Sequence, residues 1–218
     1  MPELQTKEEY VSEIQDALEV LEKTSAELEK MQHLNTQGLL IHYFAYRAAK
    51  IGSASLRVLD LDVPLAILCR AQCEDFINLY WAIHSAENAN FYTKRSICEM
   101  GKVTKRLFSR LIEEKKSKGE DLKINIEFEK LAPKVESKTL ADMAKETGLD
   151  ALYDHVYRGL SLNVHGHHWG LFKIDLMNRG LLVLSYLSTL LILTVGLFNQ
   201  GQQAVTPKVI LAEFGLEG

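Results

Sequence analysis

Tyr10, Val11, Ile14, Ala17, Leu18, Leu21, Leu28 and Met31 recur mainly at intervals of three and four among charged residues, the spacing of one helix face. This predicts an amphipathic helix over residues 7–31, whose apolar side needs a partner within the same fold or a dimer. A second helix is expected over 39–59, apolar on most sides. The turn at 60–64 ends it, and Pro64 is placed to open the next. That third helix reads VPLAILCRAQCEDFINLYWAIHSA. Arg70 and Glu74 stand four apart in its most hydrophobic stretch, which predicts a pair on one face that makes two inward charges tolerable. Residues 90–118 read as a charged helix whose Lys102, Lys105, Arg106 and Arg110 form a solvated face, with a phosphate-binding stripe as the alternative. Residues 119–138 are polar, contain Pro133, and read as a loop or short helices. Helical spacing returns in LADMAKETGLDALYDHVYRGLSLNVHG. It is interrupted at Gly148, with Leu149, Leu152, Tyr153, Val156, Leu160 and Val164 as the core stripe. A long apolar helix follows over 174–199.

No strand alternation and no internal repeat is present, so the expected fold is all-α, a single-domain bundle of five to seven helices. With 218 residues the chain is long enough for one domain with a core and short for two. Its 47% hydrophobic and 25% charged residues match a folded globular protein rather than a disordered one. The net charge of −4 supplies no global basic field, which argues against DNA coating and leaves any nucleic-acid contact to a local patch. Cys69, Cys73 and Cys98 are too sparse for a secreted disulfide framework, and the acidic start lacks a secretory leader pattern; a cytoplasmic protein with reduced thiols is expected. Residues 181–198 carry no charge and are long enough to cross a bilayer. Ser185, Ser188, Thr189, Thr194 and Gly196 interrupt the run, and no basic cluster flanks it, so the centre of a bundle or a dimer seam is expected and a membrane span is not.

Chemistry concentrates in DHVYRGLSLNVHGHHWG, which holds four of the seven histidines together with Asp154, Arg158, Ser161 and Asn163. Asp154, Arg158, Ser161 and His165 follow one another at four, three and four residues, which predicts that they share one helix face opposite the apolar stripe. Arg suits a phosphodiester because its planar fork donates two hydrogen bonds and keeps its charge. His moves a proton near neutrality. Together they supply a phosphate clamp and a general acid/base, enough for RNA cleavage by the adjacent 2′-hydroxyl without metal. The plainer alternatives are an Arg158–Asp154 surface pair and a helix-capping His165. His165, His167 and His168 also offer a metal site, but three imidazoles within four residues rarely close a tetrahedral shell unaided; no metal or cofactor is expected.

The spacing Arg158-GLSLNV-His165 resembles the Arg-x6-His motif of the HEPN superfamily, helical and often dimeric proteins that include many metal-independent ribonucleases acting as toxins or in antiphage defence. The chain also resembles a bacterial family of helical proteins with an early Arg-x-x-x-Glu helix, here CRAQCEDFINLYWAI, and a later YRxLSxxxHG-like segment, here YRGLSLNVHG. The resemblance covers residues 48–200. It implies a division into an N-terminal amphipathic helix at 1–36, a HEPN-like core at 37–200 and a tail at 201–218. It also implies that Arg158 and His165 are the catalytic pair, that Glu74 is an acidic helper from an earlier helix, and that Arg70 orients Glu74, with Asp154, Ser161 and Asn163 in support. Members often carry a polar residue directly after the Arg, where this chain has Gly159. The expected partners are RNA, a second copy, and an antitoxin or defence-system protein. The alternatives are a catalytically silent helical interaction module and a membrane effector using residues 181–198.

Overall fold

The most apolar stretch of the sequence becomes the axis of the bundle. The structure is a computed structural model of the chain in which residues 5–31, 34–118, 138–164 and 176–216 are described. Helix α1 (Lys7–Glu29) is opened by a capping box in which Thr6 and Glu9 satisfy each other's backbone N–H groups. Helix α2 (Thr36–Ser55) starts at Asn35, whose side chain accepts from the Gly38 N–H. Helix α3 (Asp62–Ile83) carries Pro64 in its first turn and buries Leu65, Cys69, Cys73, Phe76, Ile77 and Trp81. Helices α1, α2 and α3 pack in series, and the long α7 (Leu176–Gln200) closes against all three.

Helix α4 (Ala86–Ser117) is capped by Ser85 and leans on α2 and α3 through its start, where Ala89 is buried and Phe91 and Tyr92 rest on the core. Helix α5 (Leu140–Glu146) has its own capping box, Thr139 with Asp142. It is tied to α3 by the Trp81 indole N–H, which donates to Glu146 at 2.7 Å, while Lys138 bridges the same carboxylate and lies over the Trp81 ring. Gly148, at φ +71°, makes the left-handed turn that separates α5 from α6. Helix α6 begins at Asp150–Leu152, passes through a π-helical turn at Tyr153–Tyr157 and continues as Arg158–Val164. Gly201 (φ +72°) ends α7, and α8 (Pro207–Glu213) returns to the bundle with Ile210 fully buried.

The fold is all-α, and no strand occurs among the described residues. Eight helices are described where five to seven were expected. Part of the excess lies in the stretch assigned to a tail, where Thr206, Pro207 and the apolar Val209-Ile210-Leu211 are a cap, a first-turn proline and an anchor. The uncharged run is central: Leu184, Leu187, Leu190, Leu191 and Leu197 of α7 are buried, and Ile192 alone is exposed among the large apolar residues described from 181 to 198. By length and composition Gly180–Gln200 would also pass for a membrane span, because a bundle centre and a bilayer ask for the same residues. The polar loop expected at 119–138 lies outside the described residues except for Lys138.

Candidate functional site

The site is the seam between α3 and α6. Along α6 the residues fall into three neighbouring rows, each stepping by four. Leu152, Val156 and Leu160 are buried in the core; Tyr153, Tyr157 and Ser161 are half-buried; Asp154 and Arg158 are exposed. The step of four is sustained through the π-helical turn, where the Arg158 N–H bonds to the Tyr153 carbonyl five residues back. The extra residue per turn keeps positions four apart in line, where a regular α-helix would let them drift.

The expected single polar face is therefore corrected to two. Asp154 and Arg158 pair with each other at 3.0 Å in solvent, their side chains 54% and 66% exposed. Ser161 points to α3 instead: its hydroxyl accepts from Arg70 Nε at 2.8 Å and donates to the Tyr157 carbonyl at 2.8 Å. The reason is the helical step, since Ser161 is three residues from Arg158 but four from Tyr157 and takes the row of the tyrosine. His165, His167 and His168 lie outside the described residues, and Asn163 belongs to α6 with its side chain outside them.

The expected direct pair of Arg70 and Glu74 is also corrected. No ion pair joins them; the phenol of Tyr157 stands between. Arg70 Nη2 donates to the Tyr157 oxygen at 2.8 Å, the Tyr157 hydroxyl donates to Glu74 at 3.4 Å, and the guanidinium lies 4.9 Å from the centre of the same ring. One tyrosine thus holds the arginine by a hydrogen bond and by its ring face. Burial pushes the Tyr157 phenol above its ordinary range, and the Glu74 charge adds to this, so the hydroxyl stays protonated and able to donate. Tyr153 stacks on Tyr157 at 5.2 Å with the planes 19° apart, which holds the phenol in place. No local pattern marks Tyr157, because a tyrosine beside a leucine stripe reads as packing; its place four residues before Ser161 is the available clue.

An ion pair that no local pattern indicates sits one residue along α3. Asp75 accepts from Arg47 Nε of α2 at 2.7 Å, with the arginine side chain 41% exposed and the carboxylate 10%. Burial raises the Asp75 pKa to about 6, against the lowering effect of Arg47 and with a further push from Glu74. Arg47 is held more firmly protonated by the hydrogen bond to Asp75. The two shifts reflect one asymmetry: the guanidinium reaches water and the carboxylate does not.

A Cβ built on Gly159 would meet nothing within 4 Å, so glycine is not demanded there by space. Cys69 and Cys73 are free and buried, and burial drives both thiols well above their usual range, which makes them packing groups rather than nucleophiles. No group of three His, Cys, Asp or Glu with metal-binding geometry occurs among the described residues.

A family model described as a family of unknown function (DUF5677) matches residues 40–179, a stretch that takes in α3, α4 and α6. No curated protein and no solved structure matches the chain.

Proposed function

From the premise that the chain belongs to the DUF5677 family, we propose that it is a HEPN-like, metal-independent endoribonuclease of the cytoplasm, acting as a toxin or defence effector and as a homodimer. The observation that carries this reading is the juxtaposition at the seam. The Arg-x-x-x-Glu helix and the helix that opens the Arg-x6-His motif are joined by Arg70, Tyr157, Ser161 and Glu74, with Arg158 exposed on the same helix. In the proposed reaction Arg158 exchanges Asp154 for a scissile phosphate. That exchange is cheap, because an exposed ion pair contributes only about 0–1 kcal/mol. The substrate's 2′-oxygen attacks phosphorus as its proton passes to a base. A P–O bond forms to the 2′-oxygen while the bond to the 5′-oxygen breaks, and a proton returns to that leaving oxygen. His165 supplies this acid/base exchange. Glu74, held beside the seam by Tyr157, is the acidic helper, and Arg70 acts through Tyr157 as a positioning residue.

Incubating the purified chain with total RNA in EDTA tests this. The wild type is expected to cleave and leave 2′,3′-cyclic phosphate ends, and Arg158→Ala and His165→Ala are each expected to lose about 10²–10⁴-fold in rate. Wild type without cleavage, or variants that cleave undiminished, would overturn the assignment. Activity removed by chelator and restored by zinc or nickel would favour a metal site on His165, His167 and His168 instead. The second reading, a silent interaction module in a toxin–antitoxin or defence complex, is favoured by Gly159, which stands where HEPN proteins often carry a polar residue. Insertion of residues 181–198 into a membrane would require α7 to leave α1, α2 and α3, and cell fractionation separates that outcome from the others.

A further inference from the structure

Beyond its first turn, α4 is an amphipathic helix whose apolar side carries a row of exposed residues. After Ala89 no described residue of α4 is buried. Ile97, Met100, Val103, Leu107 and Leu111 recur at three and four residues and stand 40–65% exposed. A contiguous aliphatic stripe of this length, roughly 20 Å at 1.5 Å per residue, is not the scatter of single apolar residues that any surface shows. The stretch beside the stripe carries an excess of basic residues. From position 94 to 110, Lys94, Arg95, Lys102, Lys105, Arg106 and Arg110 face one acidic residue, Glu99, in a chain whose overall charge is −4. On a helical projection at 100° per residue the basic positions occupy the side opposite the stripe and its two borders.

Aliphatic side chains bordered by Lys and Arg are the makeup of helices that lie in the plane of an anionic bilayer surface, apolar side down and basic residues at the headgroups. We propose that α4 docks the protein on membranes rich in acidic phospholipid, by insertion of the Met100–Leu107 stripe between headgroups. Two other occupants fit the charges less well. A second copy would bring two stretches of excess positive charge together. A nucleic acid would engage the basic side and leave the aliphatic stripe in water. This docking is independent of the ribonuclease reading, since no residue of the α3–α6 seam takes part.

The full chain is to be sedimented with vesicles of phosphatidylcholine alone and of phosphatidylcholine with about a third phosphatidylglycerol, a content chosen to give an anionic surface potential. The expected result is pelleting with the anionic vesicles only, weakened by salt. Binding should fall by about tenfold or more both in Met100→Glu/Leu107→Glu and in Arg106→Glu/Arg110→Glu. Both pairs sit on exposed positions, and circular dichroism verifies their helicity. Should the apolar pair disturb the fold, Val103→Glu serves as its replacement. Equal binding to neutral and anionic vesicles, or no binding to either, overturns the proposal. So does loss in the arginine variant with full retention in the apolar one, which would mark a purely electrostatic contact such as RNA. An apolar variant that turns a dimer into a monomer by light scattering, with no vesicle binding in the wild type, assigns the stripe to a second copy and overturns it as well.

Discussion

Tyr157 stands between a cation and an anion that lie four residues apart on α3. Its oxygen accepts from Arg70 and donates to Glu74, and its ring carries the guanidinium. Arg158, one residue on, is exposed and pairs with Asp154. The two neighbours should therefore respond differently to truncation. Tyr157→Phe removes the acceptor of a half-buried charged donor and is expected to lower stability by about 1–2 kcal/mol. Arg158→Ala gives up an exposed pair and is expected to change stability by less than about 0.5 kcal/mol. Urea unfolding of the two variants checks the ordering; a larger loss in Arg158→Ala would mean that the arginine has a structural partner. The same contrast makes Arg158→Ala a clean probe of the proposed chemistry, because the fold does not depend on it.

Between elements, α1, α2 and α7 approach closely at Gly52. A Cβ there would come within 2.7 Å of the Leu18 side chain and 3.2 Å of Leu191, closer than packed carbons tolerate. Leu18 and Leu191 are both buried, so neither tip can swing into solvent. Gly52→Val is expected to cost ~1–3 kcal/mol through overpacking, read as a lowered thermal midpoint. An unchanged midpoint would show that α1 and α7 move apart freely. The seam depends on the same kind of constraint: α6 carries a π-helical turn, and the sustained step of four delivers Tyr157 and Ser161 to Arg70 while leaving Arg158 outside.

For the whole molecule, the pH profile of stability follows from which carboxylates are buried. Glu9, Asp142 and Glu146 are exposed and held below their ordinary range by hydrogen bonds, so their contribution is present above that range and lost as pH falls. Asp75 works in the opposite sense. Its pKa is raised from 3.8 to about 6, so the folded chain holds this proton more tightly than the unfolded one. Its contribution is full below about pH 4 and is lost as pH rises through 6. Asp75→Asn removes this dependence together with the charge facing Arg47. The stability of wild type relative to the variant is expected to decline by about 2 kcal/mol between pH 4 and pH 7, measured by urea unfolding at a series of pH values. A difference that stays flat across that range would show the carboxylate ionised and solvated throughout.

Periodicity sufficed for α1, α2, α3 and the course of α7, because these helices bury whole faces and a buried face must be written in the sequence as apolar residues at three and four. The residues of the seam were legible as a set, since Arg70, Glu74, Arg158 and Ser161 are conspicuous among their neighbours. Their pairing was not. Spacing on one helix says which side chains share a face, but a half-buried polar group takes its partner from whichever helix is packed opposite. Only that packing placed Tyr157 between Arg70 and Glu74, turned Ser161 away from Arg158, and brought Arg47 to Asp75. The charged face of α4 could likewise be read from the chain, whereas the exposure of Ile97, Met100, Val103, Leu107 and Leu111 follows from how the described helices pack, and no local pattern records it.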